Sequence, residues 1–600
     1  MSVTTVKKTG NIEIRLTAHH NCDDAQLFWR TKVDGTLDGA IPGSLGFMIE
    51  RQRKTREGSW GETEVLRNRV GFSAARTDIG NSGTGDPTRS SNVWPFQCYE
   101  WTDHGANNGE TVRYRVTAVR LPVGGLAGTT VLDPIADSDW TEAIAVEADC
   151  GGGFSAYFNR GFVMSQFVAR MARQNGWTPR DIKAKIKELE EPLRRFLSGE
   201  LRVALLRLLD EVIEDPGLSL YAALYELSDE ELIKRLELLH GRAHVVLTNG
   251  SDKKGDGNKD SRKTLNQDDP PVDVHDRLLG SKGLGHNKFA IVVRTSGKKP
   301  LKVWTGSTNW APTGLCTQVN NGILIENEEI SKIYLDEWQR LADAQNNFPE
   351  ELVSANAESP RTSGNTDVWF TRVRNPSKKN TGMGSDLQAL VDLVNGAKEV
   401  ILYVMFQPGV EPLASILKRA SNLYVRGVVS TVQTSSEEQF ALMGIDKNSK
   451  NYHTALVQPE GIVKDFSAWV KEVTRAQFLY PPQSPGIGHA ITHSKIIVID
   501  PFREDCKVIT GSHNFSKSAS ENNDDNFVVI HGNKDLAEAY AVACQATYSH
   551  YRWRVYVKDQ TDAGKDVWDH LSDKPEWQGK YLTAERKKHL SVWCKQPQTP

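Results

Sequence analysis

The 600-residue sequence contains no run of about 18 consecutive apolar residues, which excludes a conventional membrane-spanning helix. It contains no Cys-x-x-Cys pair either. Its cysteines, Cys22, Cys98, Cys150, Cys316, Cys506, Cys544 and Cys594, are odd in number and scattered. Such spacing argues against a disulfide framework and against a cysteine-rich zinc site, and makes a reducing cytoplasm the expected location. The stretch MSVTTVKKTGNIEIRL lacks an apolar core of signal-peptide length, in line with that expectation. An excess of one charge is also missing. With 25% charged residues and a formal net charge of −3, the chain is not a strongly basic, non-specific nucleic-acid binder, although a local basic cleft is compatible with these numbers. No cluster of His, Asp and Glu demands a metal, so neither a metal nor another cofactor is expected.

What is present divides along the chain, as this length requires. Residues 1–150 read as short strands of period two between turn signals, with Ile12, Ile14 and Leu16 in one and Val112, Tyr114 and Val116 in another. This pattern predicts an all-β sandwich. The order of a Trp on an early strand, the GETVRYRV strand and a final AIAVEAD strand resembles a fibronectin type III module. Such a module implies a docking surface for a protein partner, and nothing in it looks like a site.

Residues 151–355 open with the glycines of CGGGFSAYFNRGF, pass through MSQFVARMARQNG at 164–176, and continue into a charged, Leu-rich helical insertion up to Asp215. Glu188, Glu190, Glu191, Glu200, Asp210 and Glu211 give that insertion a mixed polar face, unlike a membrane-surface helix. Residues 356–560 repeat the plan. SLYAALYELSDEELIKRLELLHGRAHVVLTNG and EVILYVMFQPGVEPLASILKRASNLYVRGVVS both read as strand, helix, strand at nearly equal lengths. A duplicated α/β fold with pseudo-twofold symmetry is therefore expected. Between Asn249 and Pro271 the Lys-, Asp- and Gly-rich sequence predicts a solvated loop. Residues 561–600, with Trp568, Trp577 and Trp593, predict a helical appendix.

The chemical signal lies late in each repeat. The second reads HSKIIVID from His493 to Asp500, GSHN from Gly511 to Asn514, then NNDDN up to Asn526. The first reads GHNKFAIVV around His286 and Lys288, GSTN from Gly306 to Asn309, then QVNNG around Asn320. The registers agree, with separations of 207 residues for the histidines (493 − 286) and 205 for the glycines (511 − 306). One isolated His-x-Lys is more often a strand-end surface pair than a catalyst, but two matched copies reverse that weighting.

Duplicated His-x-Lys-x4-Asp followed by Gly-Ser-x-Asn resembles the phospholipase D superfamily. The resemblance implies a phosphodiesterase that works through a phosphohistidine intermediate without metal, with His286, Lys288, His493, Lys495 and Asp525 as catalytic residues. Ser307, Asn309, Ser512 and Asn514 are expected to bind the phosphate, with Asp500 and Asn320 in support. An imidazole can attack phosphorus directly, lysines offset charge on the equatorial oxygens, and the second imidazole handles the leaving-group proton. The copies differ: Val293 stands where the second has Asp500, and Asn320 where it has Asp525. Since a carboxylate steadies a charged imidazole better than an amide does, His493 is expected to be the nucleophile, oriented by Asp525, with His286 as general acid and base. GSHNFSKSASENNDDN is similar to the small bacterial nuclease branch, so nucleic acid is the expected substrate, DNA among the candidates. A phospholipase D acting on phospholipid head groups is the alternative, a non-catalytic scaffold a distant third, and the multidomain plan suggests bacterial antiviral defence. Trp310 and Phe515 could stack on bases, although their position after the Gly-Ser-x-Asn turn fits core better.

Overall fold

The computed structural model describes residues 2–72, 88–161, 175, 181, 184–251, 255–267, 269–377, 379–432, 434–458, 492–564 and 570–594. Of the segments named above, MSQFVARMARQNG (except Asn175), part of the 249–271 loop and Trp568 lie outside these residues. The chain forms two compact units, one of residues 1–147 with 559–600, the other of residues 148–558.

The first unit is β-rich. One five-stranded sheet orders Val3–Thr9, Ile12–His20, Ala25–Val33 and Thr36–Leu37, with Glu100–Asp103 also on Ala25–Val33; the other orders Asp133–Asp137, Thr111–Arg120, Gly46–Arg53 and Glu64–Val65, with Ile144–Ala145 also on Thr111–Arg120. All these pairings are antiparallel. The period-two residues Ile14, Leu16, Val112, Tyr114 and Val116 are fully buried, as alternation on a half-covered strand requires. The C-terminal segment, too short to enclose a core of its own, packs here. Trp593 stacks on Phe28 at 4.7 Å, and the Gln578 amide bonds both the N–H and the carbonyl of Ile41 at 2.8 and 3.0 Å.

The second unit contains two large mixed sheets. The first orders Phe154–Phe158, Asn321–Ile325, Lys299–Gly306, Lys288–Arg294, Leu218–Leu224, Ala243–Thr248 and Asp273–Arg277. The second orders Arg361–Ser363, Thr366–Phe370, Asn526–His531, Lys507–Gly511, Ile496–Ile499, Val400–Met405, Tyr424–Val429 and Leu456–Val457. Starting from Phe154–Phe158 in one and Thr366–Phe370 in the other, both sheets run through successive antiparallel pairings and end in two parallel ones. The central runs LYAAL, VILYVM and IIVI are continuously apolar and buried at every position, as strands covered on both faces are. The strand-helix-strand segments read from sequence form parallel pairs around the helices Glu230–Leu239 and Leu413–Arg419. Asp229 caps the former by accepting the Leu232 N–H. The Leu-rich stretch is the helix Pro192–Glu214, which buries Leu201, Leu205, Leu209 and Val212.

Candidate active site

Both His-x-Lys pairs sit where a central antiparallel strand begins. Lys288 opens Lys288–Arg294, and Lys495 immediately precedes Ile496–Ile499. Each histidine is tied to the other sheet. Leu284–Gly285 pairs in parallel with Asn523–Asp524, and the His286 N–H donates to the Asp524 carbonyl at 2.8 Å. In the same way Thr492 bridges Val319, and the His493 N–H donates to the Val319 carbonyl at 2.9 Å. A buried ion pair between Arg277 and Asp524, at 2.6 and 3.1 Å, reinforces the first of these connections.

This crossing corrects the expected pairing of the histidines. Asp525 stands on His286, with Nδ1 to Oδ1 at 2.7 Å, whereas Asn320 stands on His493, with Nδ1 to Oδ1 at 2.9 Å. Sequence register matches each acid or amide to the histidine of its own repeat, but the short connections above carry each of them to the histidine of the other. A carboxylate can only accept, so His286 donates from Nδ1. The Asn320 Nδ2 donates to the Gly314 carbonyl at 2.8 Å, which turns its Oδ1 toward His493 and makes that Nδ1 a donor too. Both Nε2 lone pairs are then left for chemistry.

The two serines also depart from expectation. Ser512 donates its single hydroxyl hydrogen to Asp525 at 2.7 Å, and Ser307 donates to Asn320 at 2.8 Å. With its hydrogen so placed, each serine orients the partner of a histidine. Glycine makes the arrangement possible: a Cβ at Gly511 would lie 2.3 Å from the Asn526 carbonyl oxygen, and one at Gly306 would lie 2.4 Å from that of Asn321.

Both lysines are buried; Lys288 donates to the carbonyl of His286 at 2.6 Å, and Lys495 donates to that of His493. Burial, then Asp525 and Glu226 acting against it, brings the Lys288 ammonium down to about 7. Burial and the charge of Lys288 hold Lys495 well below its ordinary range. Burial and Lys288 lower His286 to about 4, with Asp525 opposing. Burial, Lys495, Lys288 and His286 hold His493 well below the ordinary imidazole value. For Asp525, burial alone would raise the carboxyl, but His286 outweighs it and keeps the group below its usual value. The site thus gathers two lysines and two histidines, groups that can take an anion, around the carboxylate of Asp525.

Sequence reasoning missed three neighbours. Tyr225 lies edge-on to His286 at 4.9 Å with the Lys288 ammonium 5.0 Å from its ring, and Phe406 tilts on His493 at 5.0 Å with Lys495 at 5.2 Å. The corresponding ends of the two strand-helix-strand segments, LYEL and MFQP, carried that signal. The third is Glu226, whose carboxylate accepts from Asn309 Nδ2 at 2.8 Å. Asn309 keeps a buried Oδ1 without a partner, as does Asn514. Trp310 and Phe515 are fully buried. Asp500 lies away from the histidines and accepts the backbone N–H groups of Lys398, Glu399 and Val400 at 2.7–2.8 Å, fixing the start of a central strand. Val293 is itself buried within its strand, opposite Ser219.

Residues 390–546 match the family model described as "Cardiolipin synthase, PLD-like domain". This part of the chain is a phospholipase D-like domain. No curated protein sequence matches the chain. Among solved structures it is similar to polyphosphate kinase from Porphyromonas gingivalis (12% identity, TM-score 0.33), covering 55% of this chain and 45% of that one. It is also similar to phosphatidylserine synthase from Haemophilus influenzae (11% identity, 69% and 98% covered, TM-score 0.36). A third is Nuc, a phospholipase D family member from Salmonella typhimurium (17% identity, 25% and 91% covered, TM-score 0.19). The chain therefore spans less than half of the kinase it matches.

Proposed function

We propose that the chain is a metal-independent phosphodiesterase that cleaves nucleic acid through a phosphohistidine. The observation that carries this reading is a pair of imidazoles, each held at Nδ1 and one of them by a carboxylate, amid two buried lysines. We read the two mixed sheets as a duplication related by a pseudo-twofold axis and the β-rich unit as a sandwich that recruits a protein partner.

With Asp525 on His286, the argument from carboxylate support assigns His286 as the nucleophile and His493 as the acid and base. The Nε2 lone pair of His286 attacks phosphorus as the bond to the leaving oxygen breaks, and His493, which must first take up a proton at Nε2, passes that proton to the leaving oxygen. His493 then takes a proton from the water that cleaves the N–P bond. Asp525 stabilises the positive imidazole while it is attached to phosphorus, and Lys288 and Lys495 offset the charge gathering on the non-bridging oxygens. Asn309 and Asn514 are the amides we assign to contact those oxygens.

The likeness of GSHNFSKSASENNDDN to the bacterial nuclease branch supports nucleic acid as substrate. The description of the matched family names a cardiolipin synthase, which makes a phospholipid diester the second reading. Incubating the full chain with labelled DNA, RNA and phosphatidylcholine in EDTA separates them. Cleavage of nucleic acid in EDTA is the expected outcome. Cleavage of lipid alone transfers the mechanism to the second reading, and activity that EDTA abolishes and Mg²⁺ restores would refute the mechanism.

A further inference from the structure

Glu226 gives the site a second asymmetry beside that of Asp525 and Asn320. It lies two residues beyond the strand Leu218–Leu224, after Tyr225; two residues beyond Val400–Met405, after Phe406, the second sheet has Gln407. Its carboxylate is fixed on Asn309 at 2.8 Å, and its charge acts on both Lys288 and Lys495. The groups acting on His493 are Lys495, Lys288, His286 and the backbone of Ser307, with Asn320 on its Nδ1. Across from them stand Asp525 on His286 and Glu226 on Asn309, beside the phenol of Tyr225.

With both lysines protonated, their charges balance those of Asp525 and Glu226 beside neutral imidazoles, and the neighbouring Arg277–Asp524 ion pair is balanced in itself. A diester brings one negative charge into this balance. We infer that Glu226 is a positioning residue that sets the charge of the site so that a bound diester draws one proton from solvent onto His493 Nε2, the proton the leaving oxygen then takes away. Without Glu226 the site would hold a spare positive charge, and the diester would bind with His493 still neutral. The same balance selects among anions. A phosphate monoester carries between one and two negative charges near pH 7, so it overfills a site that contains Glu226 and is held less firmly than the spare charge would otherwise hold it.

The inference rests on the phosphodiesterase reading, with His493 as acid, and is tested apart from it. Titration calorimetry of the full chain with inorganic phosphate, in two buffers of different ionisation enthalpy, gives affinity and protons taken up together. Relative to the wild type, Glu226→Gln is expected to bind phosphate about tenfold more tightly while taking up fewer protons. On a diester with a poor leaving group, the alkaline limb of its kcat profile should move to lower pH by about one unit, because a more positive site disfavours the imidazolium. Glu226→Asp should restore both properties. If Glu226→Asp, which keeps the charge, instead reproduces Glu226→Gln, the contact with Asn309 and not the charge matters and the inference fails. Unchanged phosphate affinity, proton uptake and pH limb in Glu226→Gln, in a protein whose wild type hydrolyses diesters, would overturn the inference alone. A wild type that binds phosphate but hydrolyses no diester would instead overturn the functional reading beneath it.

Discussion

Asp525 accepts the Nδ1–H of His286 at 2.7 Å, although the two residues adjoin different sheets. Neither sheet therefore holds a complete set. The carboxylate precedes Asn526–His531 in the second sheet, and the imidazole it steadies precedes Lys288–Arg294 in the first. Since a histidine bonded to phosphorus is positively charged, the side with the carboxylate is the side suited to form the covalent bond.

Replacing that carboxylate by an amide should be costly to chemistry and mild to folding. Asp525→Asn retains an acceptor for Nδ1 but loses the charge, and kcat should fall by about 10²–10⁴-fold. The melting temperature should stay within a few degrees. Steady-state kinetics and thermal unfolding of one preparation check both. A rate within threefold of wild type would remove Asp525 from the mechanism.

The reverse exchange should act on the other histidine. Asn320→Asp puts a carboxylate against Nδ1 of His493, favouring the protonated ring, so the alkaline limb of the kcat profile should move to higher pH. A limb that stays in place or moves to lower pH would show that His493 does not supply the proton.

Stability should fall on acidification. The His286 imidazole is lowered to about 4 in the folded chain, so between its ordinary value of 6.5 and 4 the unfolded chain binds a proton that the folded chain refuses. The stability tied to this group is fully present above about 6.5 and is lost progressively down to about 4, on the order of 3 kcal/mol. His493, shifted in the same direction, adds to the loss. Urea unfolding at pH 7 and pH 5 should show a smaller difference for His286→Asn than for wild type. Equal differences would mean that the burial of this imidazole does not govern the acid limb.

Asp500 should prove a folding residue. Its carboxylate accepts three backbone N–H groups at the start of Val400–Met405, so Asp500→Ala should lower stability by about 3 kcal/mol or more. The fraction that remains folded should turn over at a rate near wild type, as active-site titration would reveal. Full stability with lost turnover would place Asp500 in the chemistry instead.

The sequence disclosed chemistry more readily than connectivity. The paired motifs identified His286, Lys288, His493 and Lys495 because a matched spacing of rare residue types survives without knowledge of the fold. Strand-helix-strand segments were legible because LYAAL and VILYVM are apolar throughout while the helices that follow them keep a 3.6-residue period. The partner of each histidine was not legible. Register assigns Asp525 to His493, and only the short parallel pairing of Leu284–Gly285 with Asn523–Asp524 takes it across to His286. Nor did the sequence indicate that the hydroxyls of Ser307 and Ser512 are committed to Asn320 and Asp525, since a hydroxyl turns toward whichever acceptor the fold provides. In the sequence Glu226 is one more charge before a helix, and its place in the site depends on Asn309, distant in sequence but in contact.

The most direct test is to find the covalent bond. Wild type mixed with an activated diester, quenched rapidly in denaturant and digested, should yield a phosphorylated peptide containing His286. His493→Ala should still form this species from the activated substrate, whose leaving group needs little protonation, and should hydrolyse it slowly. His286→Ala should form none. Phosphate on His493 in the wild type, with none on His286, would contradict the assignment drawn from the contact between His286 and Asp525.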